Sequence, residues 1–215
     1  MSLRLEEPDT VACPPRARRK MSEREFVAWA WRDEDTRAEW VDGEVIVMSP
    51  DNTSHNRIAG FLHHLISGVA EERDAGVVFF EGIQMRFATM RRRRQPDIIF
   101  IAKARQHIIK TNHVEGAPDL ALEVISPDSP ARDYRDKYHE YEAAGVREYW
   151  IVDPLARRVE AYALARDKRY APIPERDGKI RSKVLPGLYV KPAWLWQEPL
   201  PSWLGILREL GALPK

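Results

Sequence analysis

The stretch Gly116–Asp153, GAPDLALEVISPDSPARDYRDKYHEYEAAGVREYWIVD, reads as an apolar strand, a turn, a helix and a second apolar strand. Side chains alternate along a strand, so Leu120, Leu122 and Val124 share one face and Ala121, Glu123 and Ile125 the other. Two mostly apolar faces mark an internal strand covered on both sides. Glu123 stands alone in that run, and an ionised carboxylate in an apolar layer requires an ion-pair partner or a metal. Ser129 and Pro130 supply an N-cap and a first helical residue, and Gly145 supplies the stop. The helix between them carries Tyr134, Tyr138 and Tyr141 on one face, a core stripe with polar tips. Lys137 lies beside that stripe, placed either to enter the space around Glu123 or to pair outward with Asp133 at i−4.

Upstream, Ser22 and Glu25 have the spacing of a capping box ahead of Phe26, which predicts a short helix. AEWVDGEVIVM, Ala38–Met48, is a hairpin closed by Asp42-Gly43. Glu39 and Glu44 flank its turn, as solvated rim acids or as neighbours of a site. A helix from Ser54 places Ile58, Leu62, Leu65 and Val69 in one apolar stripe, with His55 in its first turn as proton carrier or phosphate contact, or as a surface or cap residue. VVFFEGIQMRF, Val77–Phe87, and QPDIIFIA, Gln95–Ala102, read as two strands. Arg91–Arg94 connect them, as phosphate contacts or as a solvated turn. Asp97 opens the second strand as a turn residue or a metal ligand. Asp119 offers another Pro-Asp, but it precedes Glu123 on the same strand by about 13 Å of strand rise, too far to share one ion.

Downstream, Arg157–Leu164 alternates and pairs antiparallel with Arg147–Asp153. Shorter strands follow to about Val190, and then a Trp-rich tail with a short helix from Ser202, of a kind that docks on the body or on a sister subunit. The chain has 215 residues, enough for a full core, and a formal charge of +1, so bulk electrostatics does not announce a nucleic-acid binder and any basic surface must be local. A single cysteine, Cys13, excludes an intrachain disulfide framework, and no long uncharged apolar run or signal-peptide pattern is present, so a cytoplasmic protein without a membrane span is expected. The organisation expected is a basic flexible arm over 1–21, with a phosphate-touching or merely solvated role, a main domain over 22–198 and a docking tail over 199–215.

WVDGEVIVMSP, His55 in the next helix, PDIIF, APDLALEVISPDS followed by Lys137, and GVREYWIVDP together resemble the Uma-two family of restriction-endonuclease-like proteins, within the PD-(D/E)XK nuclease superfamily. The similarity spans Ser22 to Trp196. It implies an α/β (α+β), restriction-endonuclease-like fold with a mixed central β-sheet flanked by helices and an N-terminal hairpin. It also implies a metal-dependent endonuclease that hydrolyses DNA by water attack, and, as the alternative, a catalytically inert module that binds nucleic acid or a partner protein. On the family's motif Asp97 and Glu123 hold Mg²⁺ or Mn²⁺, and Glu44 joins them, with Glu39 as the fallback. Where E-x-K places a lysine two residues after the acid, this chain has Ile125, so Lys137 on the following helix takes the lysine's role. The catalytic set is then Asp97, Glu123, Lys137 and Glu44, and a homodimer suits a protein that cuts both strands of a duplex.

Overall fold

The computed structural model describes residues 19–32, 37–48, 52–126 and 132–213. Most of the basic arm and the Ser129–Pro130 cap lie outside them. β1 (Arg19–Lys20) leads into α1 (Glu23–Ala30). The capping box is present: Ser22 Oγ accepts the Glu25 N–H at 3.3 Å and Glu25 Oε2 accepts the Ser22 N–H at 2.8 Å. β2 (Ala38–Val41) and β3 (Glu44–Val47) form the hairpin, with Asp42 and Gly43 both at positive φ as its tight turn demands. α2 (Thr53–Glu72) follows, capped by Asn52. Six strands come next: β4 (Gly76–Phe80), β5 (Gln84–Phe87), β6 (Arg92–Arg94), β7 (Ile98–Ala102), β8 (His113–Glu115) and β9 (Leu120–Val124). A wide π-type turn over Arg132–Lys137 runs into α3 (Tyr138–Ala144), which ends at Gly145 in the left-handed region. β10 (Glu148–Asp153), β11 (Arg158–Leu164), β12 (Tyr170–Pro172), β13 (Ile180–Arg181), β14 (Tyr189–Val190), α4 (Pro192–Leu195) and α5 (Trp203–Glu209) complete the order.

The central sheet runs β12-β11-β10-β9-β7-β4; it is mixed, with β9 and β10 parallel and the other pairs antiparallel. Its strand faces separate as alternation dictates. Ile98, Phe100, Leu120, Leu122 and Val124 pack with Ile58, Leu62, Leu65 and Val69 of α2. Ile99, Ile101, Ala121 and Ile125 pack with Met85 and Phe87 of β5 and Tyr141 of α3. The Trp-rich tail docks on its own body: Ile206 and Leu207 are buried, and Gly68 of α2 leaves the space that Leu207 fills, since a Cβ there would stand 2.6 Å from Leu207 Cδ1.

Two expectations change. Val77–Phe87 is two strands, because Glu81 and Gly82 both take positive φ and redirect the chain from the central sheet into a second one. That second sheet, β1-β3-β2-β6-β5-β8, absorbs the hairpin as an integral layer. The arginine cluster is neither a phosphate loop nor a solvated turn over Arg92–Arg94, which form β6 with Arg93 and Arg94 buried. Arg93 Nε donates to Glu23 Oε1 at 2.7 Å, and Arg86 grips the same carboxylate.

The hydrogen bond from Arg86 holds the Glu23 carboxyl below its ordinary value of 4.5, against the upward pull of burial and with further help from Arg93. A lowered acid stabilises the fold above its unfolded pKa and loses that contribution as pH falls through the folded one. Glu23→Gln is therefore expected to cost about 1–2 kcal/mol at neutral pH. Urea midpoints of the variant and the wild type should converge as pH drops below 4.5; a gap that persists undiminished far below that pH would refute the charge-based account.

Candidate active site

The register of β7 on β9, Ile98↔Leu122 and Ile99↔Ala121, carried one step further sets Asp97 directly opposite Glu123. Residues opposite one another in an antiparallel pair project to the same face, with Cα atoms about 4.5–5.5 Å apart. Ladder geometry thus places the two acids at one strand end and on one face of the sheet. Asp97 Oδ2 accepts the Val124 N–H at 2.7 Å and lies 3.2 Å from His55 Nε2, while Oδ1 lies 3.4 Å from Arg37 Nη2. Burial pushes the Asp97 carboxyl up, but the hydrogen bond and charge of His55, the Val124 N–H and the charge of Lys137 together bring it below its ordinary 3.8. Asp97 is a carboxylate at neutral pH.

Lys137 turns inward. Its Nζ lies 2.8 Å from Glu123 Oε1 and 3.3 Å from Glu39 Oε1, and the side chain is 2% exposed. Tyr141, four residues on and therefore on the same helical face, donates its hydroxyl to Glu123 Oε1 at 2.8 Å. Burial raises the Tyr141 phenol well above 10.0, and the charges of Glu123 and Glu39 raise it further, so it stays a donor. Glu39 is fully buried and fixed from the other side: Oε2 accepts Arg94 Nη1 at 2.7 Å and Oε1 accepts the Gln95 N–H at 3.2 Å. Arg94 forks onto Glu140 of α3 through Nε and Nη2 at 2.7 and 2.8 Å. Burial works against the Arg94 charge, yet Glu39 and Glu140 hold its pKa above the ordinary arginine value.

Asp97, Glu123 and Lys137 are therefore brought together, and Glu39 is the further acid that reaches the lysine. Glu44 sits on β3 opposite Val41, beside the turn, two residue pairs along the ladder from Glu39 and Ile46. His55 is buried against Asp97 rather than placed on the surface. Sequence reasoning did not assign Arg37 or Arg94 to the site; the available signal for Arg94 was an arginine three residues before the strand acid. Asp119 closes a separate cluster at the other end of β9, accepting the Ala102 N–H at 2.8 Å and Arg147 Nη1 at 2.8 Å.

A profile of the Uma2 family, described as "Putative restriction endonuclease", matches residues 24–193. The chain belongs to the Uma2 family. The matched span holds Arg37, Glu39, His55, Asp97, Glu123 and Lys137. The chain is 24% identical over 135 residues to "Uncharacterized protein sll1609" from Synechocystis sp. (strain ATCC 27184 / PCC 6803 / Kazusa), covering 62% of this chain and 76% of that protein. The crystal structure of "a putative nuclease belonging to DUF820" from Anabaena variabilis ATCC 29413 superposes with a TM-score of 0.64 at 20% identity, over 78% of this chain and 90% of that one. At that identity the likeness shows the restriction-endonuclease-like fold. Among the described residues no helix is long and apolar enough to cross a membrane.

The Uma2 site can be tested for its fit to a cation by its donors. Among the described residues no three His, Cys, Asp or Glu side chains cluster as a ready-made metal cage. Two opposed carboxylates, Asp97 and Glu123, are nevertheless what Mg²⁺ uses, since it is bound through one or two carboxylates with waters and substrate phosphate completing the shell. The donor set fits a hard divalent ion held jointly with substrate.

Proposed function

We propose that this protein is a divalent-cation-dependent endonuclease that hydrolyses DNA phosphodiester bonds by water attack. The observation that carries the reading is the buried lysine against Glu123, with Asp97 facing Glu123 across the ladder. Asp97 and Glu123 would hold Mg²⁺ or Mn²⁺, and when bound the ion supplies polarisation of the phosphoryl oxygen and a more acidic water. Lys137 presents a fixed positive charge where negative charge grows on the phosphoryl oxygens, a stabilisation that is strong in a water-poor site. Glu39, itself fixed by Arg94, holds that lysine in place, and Val124, His55 and Arg37 orient Asp97. We assign the third acidic role to Glu39 and not to Glu44, because Glu39 touches Lys137. A two-fold pair cutting both strands would use the outer face of α5, where Trp203 and Leu204 remain exposed.

One observation favours the alternative of an inert nucleic-acid-binding module: Glu123 Oε1 is already shared by Lys137 and Tyr141. Calorimetric titration of Mg²⁺ or Mn²⁺ into wild type and Glu123→Ala, with plasmid cleavage on the same samples, separates the two. The nuclease reading expects metal binding and cleavage in the wild type and neither in the variant. A wild type that binds no metal even with DNA present would leave the inert module standing.

A further inference from the structure

A groove of about 430 Å³ opens beside the candidate site, between the end of α1 and the turn joining β4 to β5. Its inner end is Arg37, the residue whose Nη2 reaches Asp97, and Gln95, whose N–H binds Glu39. Its wall is apolar, with Val27 and Ile83, and Asn112 lies at its edge. Trp31 forms the lip. α1 packs into the body through Phe26, Val27, Trp29 and Ala30, whereas Trp31 is 60% exposed, so packing does not account for an indole at this position.

We infer that this groove takes one unpaired nucleotide of a DNA strand, its base stacked on Trp31 and its phosphate on Arg37, so that the preferred substrate has a single-stranded segment at the cut. The inference rests on the nuclease reading above and names its substrate class. The volume falls within the range of pockets that enclose one small ligand, and a duplex cannot enter it. A base in a duplex has both faces covered by its neighbours, so only a splayed or unpaired base has a face to offer the indole. An exposed aromatic beside a cation is the pairing by which single strands are held without sequence preference. The guanidinium of Arg37 joins the groove to the carboxylates, which places the stacked nucleotide next to the scissile phosphate.

The test measures fluorescence anisotropy of a labelled single-stranded DNA oligonucleotide, the same strand annealed to its complement, and the RNA of the same sequence. It is done with chelator present so that binding is read without cutting. Trp31→Ala should weaken single-strand binding roughly ten-fold, Trp31→Phe should retain most of it, and duplex binding should not change. Trp31 is exposed, so both variants should fold, which circular dichroism checks. Equal single-strand affinity in Trp31→Ala and wild type, or an equal loss on duplex, overturns the proposal, and so does tighter binding of the RNA. With the metal restored, cleavage of the single-stranded oligonucleotide by wild type with no effect of Trp31→Ala would sink the groove and spare the nuclease reading. Trp31-dependent single-strand binding by a protein that never cuts would support the groove and sink the nuclease.

Discussion

Lys137→Met is expected to lose cleavage by roughly 10²–10³-fold and to destabilise the fold by about 3–5 kcal/mol. The two effects have separate causes. Lys137 Nζ stands between Glu123 and Glu39, both almost fully buried, at 2.8 and 3.3 Å. Methionine fills a similar volume but leaves the two carboxylates facing one another across an apolar side chain. Breaking a buried ion pair by removing one partner leaves a charge that neither water nor a counter-ion compensates, which is why the stability cost exceeds the worth of the pair itself. Arg94 still holds Glu39 at 2.7 Å, so the loss should centre on Glu123.

A second substitution tells structure from catalysis. Lys137→Met combined with Glu39→Gln relieves the repulsion between the two carboxylates and should recover part of the stability, less what Arg94 loses with its Glu39 partner, a non-additivity expected of residues in one network. It should recover none of the cleavage, because the cation is still absent. Urea denaturation and cleavage rates on the same four proteins, wild type, two singles and the double, decide the matter. If activity returned along with stability, Lys137 would be a scaffold for the site and not a participant.

Much of this site could be read from the chain, and the reasons are local. Period-two alternation in LALEVIS is set by the pleat, so Glu123 had to share a face with Ala121 and Ile125, and it does. The capping box at Ser22 and the Asp42-Gly43 turn are short-range chemistry and appear as read. The choice between Glu39 and Glu44 was not local. Both flank one turn, but β2 is the inner strand of the second sheet and β3 faces β1, and only β2 meets β6. Trp40↔Arg93 and Val41↔Arg92 then bring Arg94 opposite Glu39 across the ladder. A partner 55 positions away is invisible without that pairing. The same holds for Val77–Phe87, whose apolar character is continuous although two positive φ residues send its halves into different sheets.

Asp97→Asn is expected to reduce cleavage by at least roughly 10³-fold, the several kcal/mol that an ion stabilises in the transition state taken at 1.36 kcal/mol per decade. The substitution is nearly isosteric, and an amide oxygen can still accept the Val124 N–H that Asp97 Oδ2 accepts at 2.7 Å. What disappears is the negative charge. The amide NH₂ then points at Arg37 Nη2, 3.4 Å from the present Oδ1, donor against donor. A stability loss of about 1–3 kcal/mol follows from the spoiled charge-assisted contacts. Such a loss could by itself lower activity, so a control of equal chemistry is needed, and the chain contains one. Asp119 also follows a proline, is also buried, and also accepts a backbone N–H, that of Ala102, with Arg147 on its other oxygen. It sits at the opposite end of β9 from Glu123. Asp119→Asn should lose comparable stability and keep its cleavage rate per folded molecule and its metal binding. If both asparagine variants lost cleavage in proportion to their stability, Asp97 would be one more buried acid that closes a strand end, and the cation would have to be sought elsewhere.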